Sequence, residues 1–178
     1  HSLERLPDFL QQLTMESNGK RVSVDGQPLD YTTGPILWGS TGTLGQHSFH
    51  QLLHQGQLLC PVDFVLPLTT HTGMAQQHSN LVANCLAQSR SLMVGRSLKA
   101  AKDALLQRGL DNKKAEDLAP HLVMPGNRPS SVITMESLNP ATLGALLALY
   151  EHRTFCSARL WNINPFDQWG VELGKETS

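Results

Sequence analysis

Gln12 and Glu16 stand four residues apart near the amino end, in a stretch (residues 7–16) that carries Phe9, Leu10, Leu13 and Met15. At helical spacing their side chains share one face. A carboxylate beside an amide can act as a general base with a positioning partner, although spacing alone favours a solvated helix face. His47 closes the run Trp38-Gly39-Ser40-Thr41-Gly42-Thr43-Leu44-Gly45-Gln46-His47. A glycine-rich turn from strand into helix can offer backbone N–H groups to an anion. The run matches neither G-x-G-x-x-G nor G-x-x-x-x-G-K-[ST], so nucleotide binding has little support. With a helix expected over residues 45–54, His47 falls in its first turn. The dipole there disfavours the charged form, and a neutral imidazole could shuttle protons. Taken alone, a structural role for His47 weighs more.

The carboxy-terminal run Phe166-Asp167-Gln168-Trp169-Gly170-Val171-Glu172-Leu173-Gly174-Lys175 holds two further candidates. Gln168 and Lys175 are two helical turns apart and would project from one side of a helix. A lysine there can hold a phosphate, pair with a carboxylate or move a proton. Asp167 and Glu172 are equally plausible as its ion-pair partners, and spacing alone favours that structural role. His47, His50 and His54 could share a helical face and invite a zinc reading, but no carboxylate or cysteine lies close in sequence to complete a set. Cys60, Cys85 and Cys156 fall in apolar stretches and read as small core residues.

The elements that must position these groups follow from periodicity. Residues 7–16 read as a helix with Pro7 in its first turn and a stop at Asn18-Gly19, where Gly19 can take positive φ. Residues 21–31 read as a β-hairpin turning at Asp25-Gly26. Four strands are expected, over residues 35–39, 62–67, 131–135 and 158–162. Helices are expected over residues 77–94, 99–108, 113–118 and 140–152. Strands separated by helices argue for an α/β fold with a parallel sheet covered on both faces. Ligands in such sheets sit beyond the carboxyl ends of the strands, which points to the turns after Trp38 and after Asn162.

The chain has 178 residues, enough for one domain with a sizeable core. Hydrophobic residues make up 40% and charged residues 16%, which excludes a disordered chain. A net charge of −1 removes the electrostatic case for nucleic-acid binding. No apolar run approaches the ~18 residues of a membrane span. Three cysteines, odd in number and far apart, fit a reduced cytoplasmic compartment. The amino end lacks the pattern of a signal peptide, and His1 in place of methionine suggests a processed or cut chain.

The order of the motifs says more than any one of them. Met15-Glu16-Ser17-Asn18-Gly19-Lys20, then Gly34-Pro35-Ile36-Leu37-Trp38-Gly39, then Gly45-Gln46-His47-Ser48-Phe49-His50-Gln51-Leu52-Leu53-His54-Gln55-Gly56 resembles the glucose-6-phosphate isomerase family. Gly126-Asn127-Arg128-Pro129-Ser130 follows in the expected place, and the run from Phe166 to Lys175 resembles the family's carboxy-terminal signature. The resemblance covers nearly the whole chain.

It implies a sugar isomerase (SIS) domain, an α/β three-layer sandwich with a mainly parallel sheet flanked by helices. It implies interconversion of glucose 6-phosphate and fructose 6-phosphate through a cis-enediolate, in glycolysis and gluconeogenesis, in a cytoplasmic homodimer that needs no metal or organic cofactor. By resemblance Glu16 is the base that moves the proton between C1 and C2. Gln12 lines the substrate site one turn earlier, and Gln168 contacts substrate. His47 assists ring opening, reaching the site from the neighbouring subunit, and Lys175 lies near the ring oxygen. Ser40, Thr41 and Leu44 depart from the family's Glu, Pro and Asn in the loop before His47, which bears on loop shape and dimer contacts rather than on the reaction. The family's phosphate-gripping serine/threonine loop and an enediolate-stabilising arginine have no counterpart here. Residues 1–178 therefore resemble the carboxy-terminal SIS domain of a longer two-domain enzyme, with little isomerase activity expected of it alone. A non-catalytic sugar-phosphate-binding SIS module is the alternative. Nothing in the sequence bears on a secreted signalling role.

Overall fold

The computed structural model describes residues 2–176; His1, which prompted the reading of a cut chain, lies outside the described residues. In chain order the elements are α1 (Leu6–Gln11), a π turn (Gln12–Glu16), α2 (Gly42–Ser48), α3 (His50–Gln55), β1 (Val62–Pro67), α4 (Ala75–Val94), α5 (Leu98–Gln107), α6 (Asn112–Leu118), a 3-10 turn (Ala119–Leu122), β2 (Ser130–Met135), α7 (Pro140–Leu160) and α8 (Trp169–Glu176). They divide into two compact units, His1–Thr41 with Asn139–Ser178, and Gly42–Leu138.

The second unit holds the sheet. β1 and β2 pair in parallel, from Val62 opposite Ser130 to Pro67 opposite Met135. A parallel pair needs a long crossover, which α4, α5 and α6 supply. α4 packs against both strands. Ser97 caps α5 by accepting from the N–H of Ala100, and Asp111 caps α6 by accepting from Lys114. Ala101 and Leu105 of α5 meet Ala115 and Ala119 in a small buried cluster. The three alanines let the helices approach closely.

The first unit is helical. α7 starts on a capping box: the Asn139 side chain accepts from the N–H groups of Ala141 and Thr142, while Thr142 Oγ1 accepts from the Asn139 N–H. Leu146, Tyr150, Thr154 and Ala158 recur every four residues as its buried stripe.

The α/β class and the parallel sheet stand, with β1, β2 and α4 to α6 close to their expected bounds. The other two expected strands do not form. Residues 158–162 continue α7 as far as Leu160, because no glycine or proline interrupts the four-residue stripe before Asn162. Residues 35–39 form no strand, and Ile36 is 82% exposed. The hairpin shrinks to a single antiparallel bridge, Val22 with Pro28. That turn docks instead on the end of α7, where Val24 N–H donates to Asn162 O and Tyr31 Oη to Trp161 O. Gly19 does not take positive φ. Its added Cβ would sit 2.6 Å from Met15 O, so closeness rather than handedness calls for glycine there. Cys156 is exposed, against a core reading, while Cys60 and Cys85 are half-buried; all three thiols are free.

Candidate functional site

Four of the candidates, Gln12, Glu16, Gln168 and Lys175, belong to the first unit, and His47 to the second. Gln12 and Glu16 are the first and last residues of the π turn. A π turn is rare and is found frequently at functional sites. Gln12 is exposed and Glu16 half-buried. The preceding residue, Gln11, reaches across to donate to Leu37 O at 3.0 Å.

Buried polar groups fix this segment from below. Asn18, fully buried, donates to Thr154 O at 3.0 Å, and Thr14 Oγ1 lies 3.4 Å from Thr154 Oγ1. Both tethers land on α7, against which the π turn packs. On the other side Gly34 presses on the same chain end. It has φ +63, and a Cβ there would stand 2.8 Å from the backbone C and O of Asn18. Only glycine combines that conformation with that approach.

Lys20 then joins two motifs that are remote in sequence. Its Nζ donates to Ser17 O at 2.6 Å and to Glu16 O at 3.1 Å, and lies 3.7 Å from Asp167 Oδ1. Both side chains of the ion pair are largely shielded, 15% and 23% exposed. Asn164 Nδ2 donates to the same Asp167 carboxylate at 2.7 Å, and its Oδ1 accepts from the Phe166 N–H. Gln168, half-buried, directly follows Asp167. Its carbonyl accepts from the N–H groups of Val171 and Glu172, so it opens α8 rather than lying within it. Lys175 is exposed in the last turn of α8. Asp167 is thus engaged with Lys20, not reserved for Lys175.

Sequence reasoning missed Lys20 and Asn164. A basic residue just past a helix end is a C-terminal signal that could have flagged Lys20. Its remote partner Asp167 has no local signature.

In the second unit the expected single helix over residues 45–54 is broken at Phe49 into α2 and α3. The Phe49 ring covers Gly45, where an added Cβ would stand 2.8 Å from Cζ. His47 is exposed and sits in the last turn of α2, not the first. The dipole argument for a neutral ring therefore has no basis. Leu44 is exposed on α2, and Gln46 donates to Asn84 Oδ1 at 2.7 Å.

His50 is buried, its ring near those of Phe49, His54 and Phe64, with Nδ1 3.2 Å from Gln88 Oε1. Burial pushes its imidazole below the ordinary value. The three histidines do not act as a set, since His47 lies on a different helix from the other two. Among the described residues no group of three His, Cys, Asp or Glu is placed to hold a metal, and no helix is long and apolar enough to cross a membrane. The loop 126–130 docks on the end of α4, with Arg128 donating to Gly56 O.

The sequence profile of the phosphoglucose isomerase family matches residues 1–178. A glucose-6-phosphate isomerase from Hahella chejuensis is 56% identical over 177 residues, 99% of this chain and 32% of that protein. One from Shewanella halifaxensis is 52% identical over 176 residues, with the same shares. The crystal structure of a glucose-6-phosphate isomerase from Chlamydia trachomatis superposes with a TM-score of 0.80 at 38% identity, over 98% of this chain and 31% of that one. The chain spans about a third of the length of the curated relatives it matches.

Proposed function

Because the chain belongs to the phosphoglucose isomerase family, we propose that it works in the interconversion of glucose 6-phosphate and fructose 6-phosphate, as the carboxy-terminal SIS domain of a longer two-domain enzyme. The share of about a third of each relative supports the domain reading.

The observation that carries the chemistry is the setting of Glu16. Its carboxylate ends a π turn that is tethered to α7 and joined through Lys20 to the turn bearing Gln168. A base held in this way can take the proton from C2 of the open-chain aldose and return it to C1 of the cis-enediolate. The C2–H bond breaks and a C1–H bond forms, while the C1 carbonyl becomes a hydroxyl and the C2 hydroxyl a carbonyl as a proton passes from O2 to O1. No carbon–carbon bond is cleaved and the two carbons are adjacent, so one carboxylate can serve both C–H transfers. Gln12 and Gln168 supply amide contacts to the sugar hydroxyls. Lys175 supplies an ammonium near the ring oxygen, and His47 assists ring opening from the neighbouring subunit of a homodimer. The setting is the glycolytic and gluconeogenic cytoplasm.

Glu16→Gln in the full-length enzyme tests this reading. The expected result is loss of C2 proton exchange with solvent, with sugar-phosphate binding retained and kcat down by roughly 1000-fold or more. Unchanged turnover would remove Glu16 from the reaction. Lost binding together with lost turnover would favour a binding role. In the same assay residues 1–178 alone should show little turnover, since phosphate contacts made elsewhere would position the reacting carbons.

A further inference from the structure

We propose that Lys20 is a positioning residue for the proton-transferring carboxylate, acting on Glu16 through the backbone and fixing it against the turn that carries Gln168. The inference rests on the reading of Glu16 as the base. The carbonyl of Glu16 is one of the last in its helical segment, where carbonyls lack partners within the helix. Lys20 Nζ donates to it at 3.1 Å and to Ser17 O at 2.6 Å. A cation is favoured at that end of a helix. Fixing the carbonyl of Glu16 fixes the rotation of its peptide group, and with it the direction of the Cα–Cβ bond from which the side chain carrying the carboxylate starts.

The backbone of Lys20 is itself held. The Lys20 N–H donates to Thr33 Oγ1 at 3.0 Å, and the Thr33 hydroxyl donates back to Lys20 O. Asp167, 3.7 Å from Nζ, is oriented by Asn164 and precedes Gln168 in the chain. Two carbonyls thus accept from one ammonium, Glu16 O and Ser17 O, and the Asp167 carboxylate faces it as the ion-pair partner. Three donors on a compact ammonium suit this convergence, whereas the planar fork of a guanidinium does not. These contacts are all to protein atoms of the segment that bears Glu16 or of Asp167, so loss of Lys20 acts on how the base is aimed.

The test uses the full-length enzyme and four variants, Glu16→Gln, Lys20→Met, Lys20→Arg and Asp167→Asn. Turnover is measured with substrate deuterated at C2, together with binding of sorbitol 6-phosphate, which cannot isomerise. Lys20→Met should lower kcat by about 100-fold, the cost of a base displaced by about 1 Å. KM and sorbitol 6-phosphate binding should stay within about twofold. The fraction of label carried from C2 to C1, rather than lost to water, should also fall; a residue needed only for folding would leave that fraction unchanged in the folded enzyme.

Asp167→Asn should show the same pattern more weakly, at about 10-fold in kcat, and Lys20→Arg should lie between wild type and Lys20→Met. If Lys20→Met does not fold, Asp167→Asn and Lys20→Arg decide. Wild-type kcat and label transfer in either Lys20→Met or Asp167→Asn, with Glu16→Gln inactive, overturns the proposal and leaves the base in place. An active Glu16→Gln overturns the reading of the base instead.

Discussion

In the first unit the segment that ends at Glu16 is held by polar groups. Asn18 and Thr14 reach down to Thr154, Gln11 across to Leu37 O, and Lys20 back to the carbonyls of Glu16 and Ser17. In the second unit the segments around His47 rest more on packing, beside single side-chain contacts from Gln46 to Asn84 and from His50 to Gln88. The Phe49 ring lies on Gly45, and β1 and β2 run in register beneath α4. Hydrogen bonds fix direction as well as distance, and hydrophobic contacts are non-directional. A base that must face two adjacent carbons needs direction. The polar unit is also the one holding four of the five candidate residues.

If that contrast is right, a single methyl group set against the backbone of the first unit should disturb that unit alone. Gly34→Ala puts a Cβ 2.8 Å from the backbone of Asn18 at φ +63, where neither neighbour can yield by rotating a side chain. Strain plus clash should cost about 4 kcal/mol. Hydrogen exchange should then show amides of residues 14–20 losing protection while those of β1 and β2 keep theirs. Equal loss in both units would remove the contrast.

A core truncation in the second unit gives the complementary result. Leu92, on α4, is fully buried, and its carbonyl accepts from the Arg128 N–H at 3.0 Å. Leu92→Ala should cost about 3 kcal/mol in transfer and cavity terms, lower the melting temperature, and leave the exchange of residues 14–20 unchanged.

The same contrast explains what the sequence made legible. β1 and β2 are short apolar runs between turn signals, and α5 and α6 have clear N-caps in Ser97 and Asp111, so local pattern sufficed. Residues 35–39 have an equally apolar run, but a strand needs a partner, and pairing is not a local property. Residues 151–153, Glu-His-Arg, interrupt the apolar run of α7 and suggested an end. The buried stripe passes through them because Tyr150 and Thr154 lie on a different face. Gln12, Glu16, Gln168 and Lys175 were found by residue type and order. What joins the first motif to the last, Lys20 with Asp167, is contact between remote residues and leaves no periodic trace. His47 was found as a residue but its helix end was reversed, because nothing in the pattern marks Phe49 as the break.

The smallest effect expected concerns His50, and it separates the units by pH. Its ring is buried beside Phe49, Phe64 and His54, and Gln88 is its hydrogen-bond partner. Burial lowers its pKa most, the Gln88 contact opposes this, and the charge of His54 adds to the lowering. The unfolded chain therefore takes up a proton before the folded one does. Well above the unfolded value, about 6.5, His50 adds no pH dependence. As pH falls below it, stability is lost until the folded ring also protonates, at no more than about 1.4 kcal/mol per pH unit for one proton. His50→Gln removes this term. The stability difference between wild type and His50→Gln, from urea melts at pH 8.5, 7.5 and 5.5, should be constant over the upper interval and shift against wild type over the lower. The shift should appear in the exchange of second-unit amides and not at residues 14–20. A constant difference down to pH 5.5 would mean that the ring is as well solvated folded as unfolded, and that shape does not seal this side of the second unit.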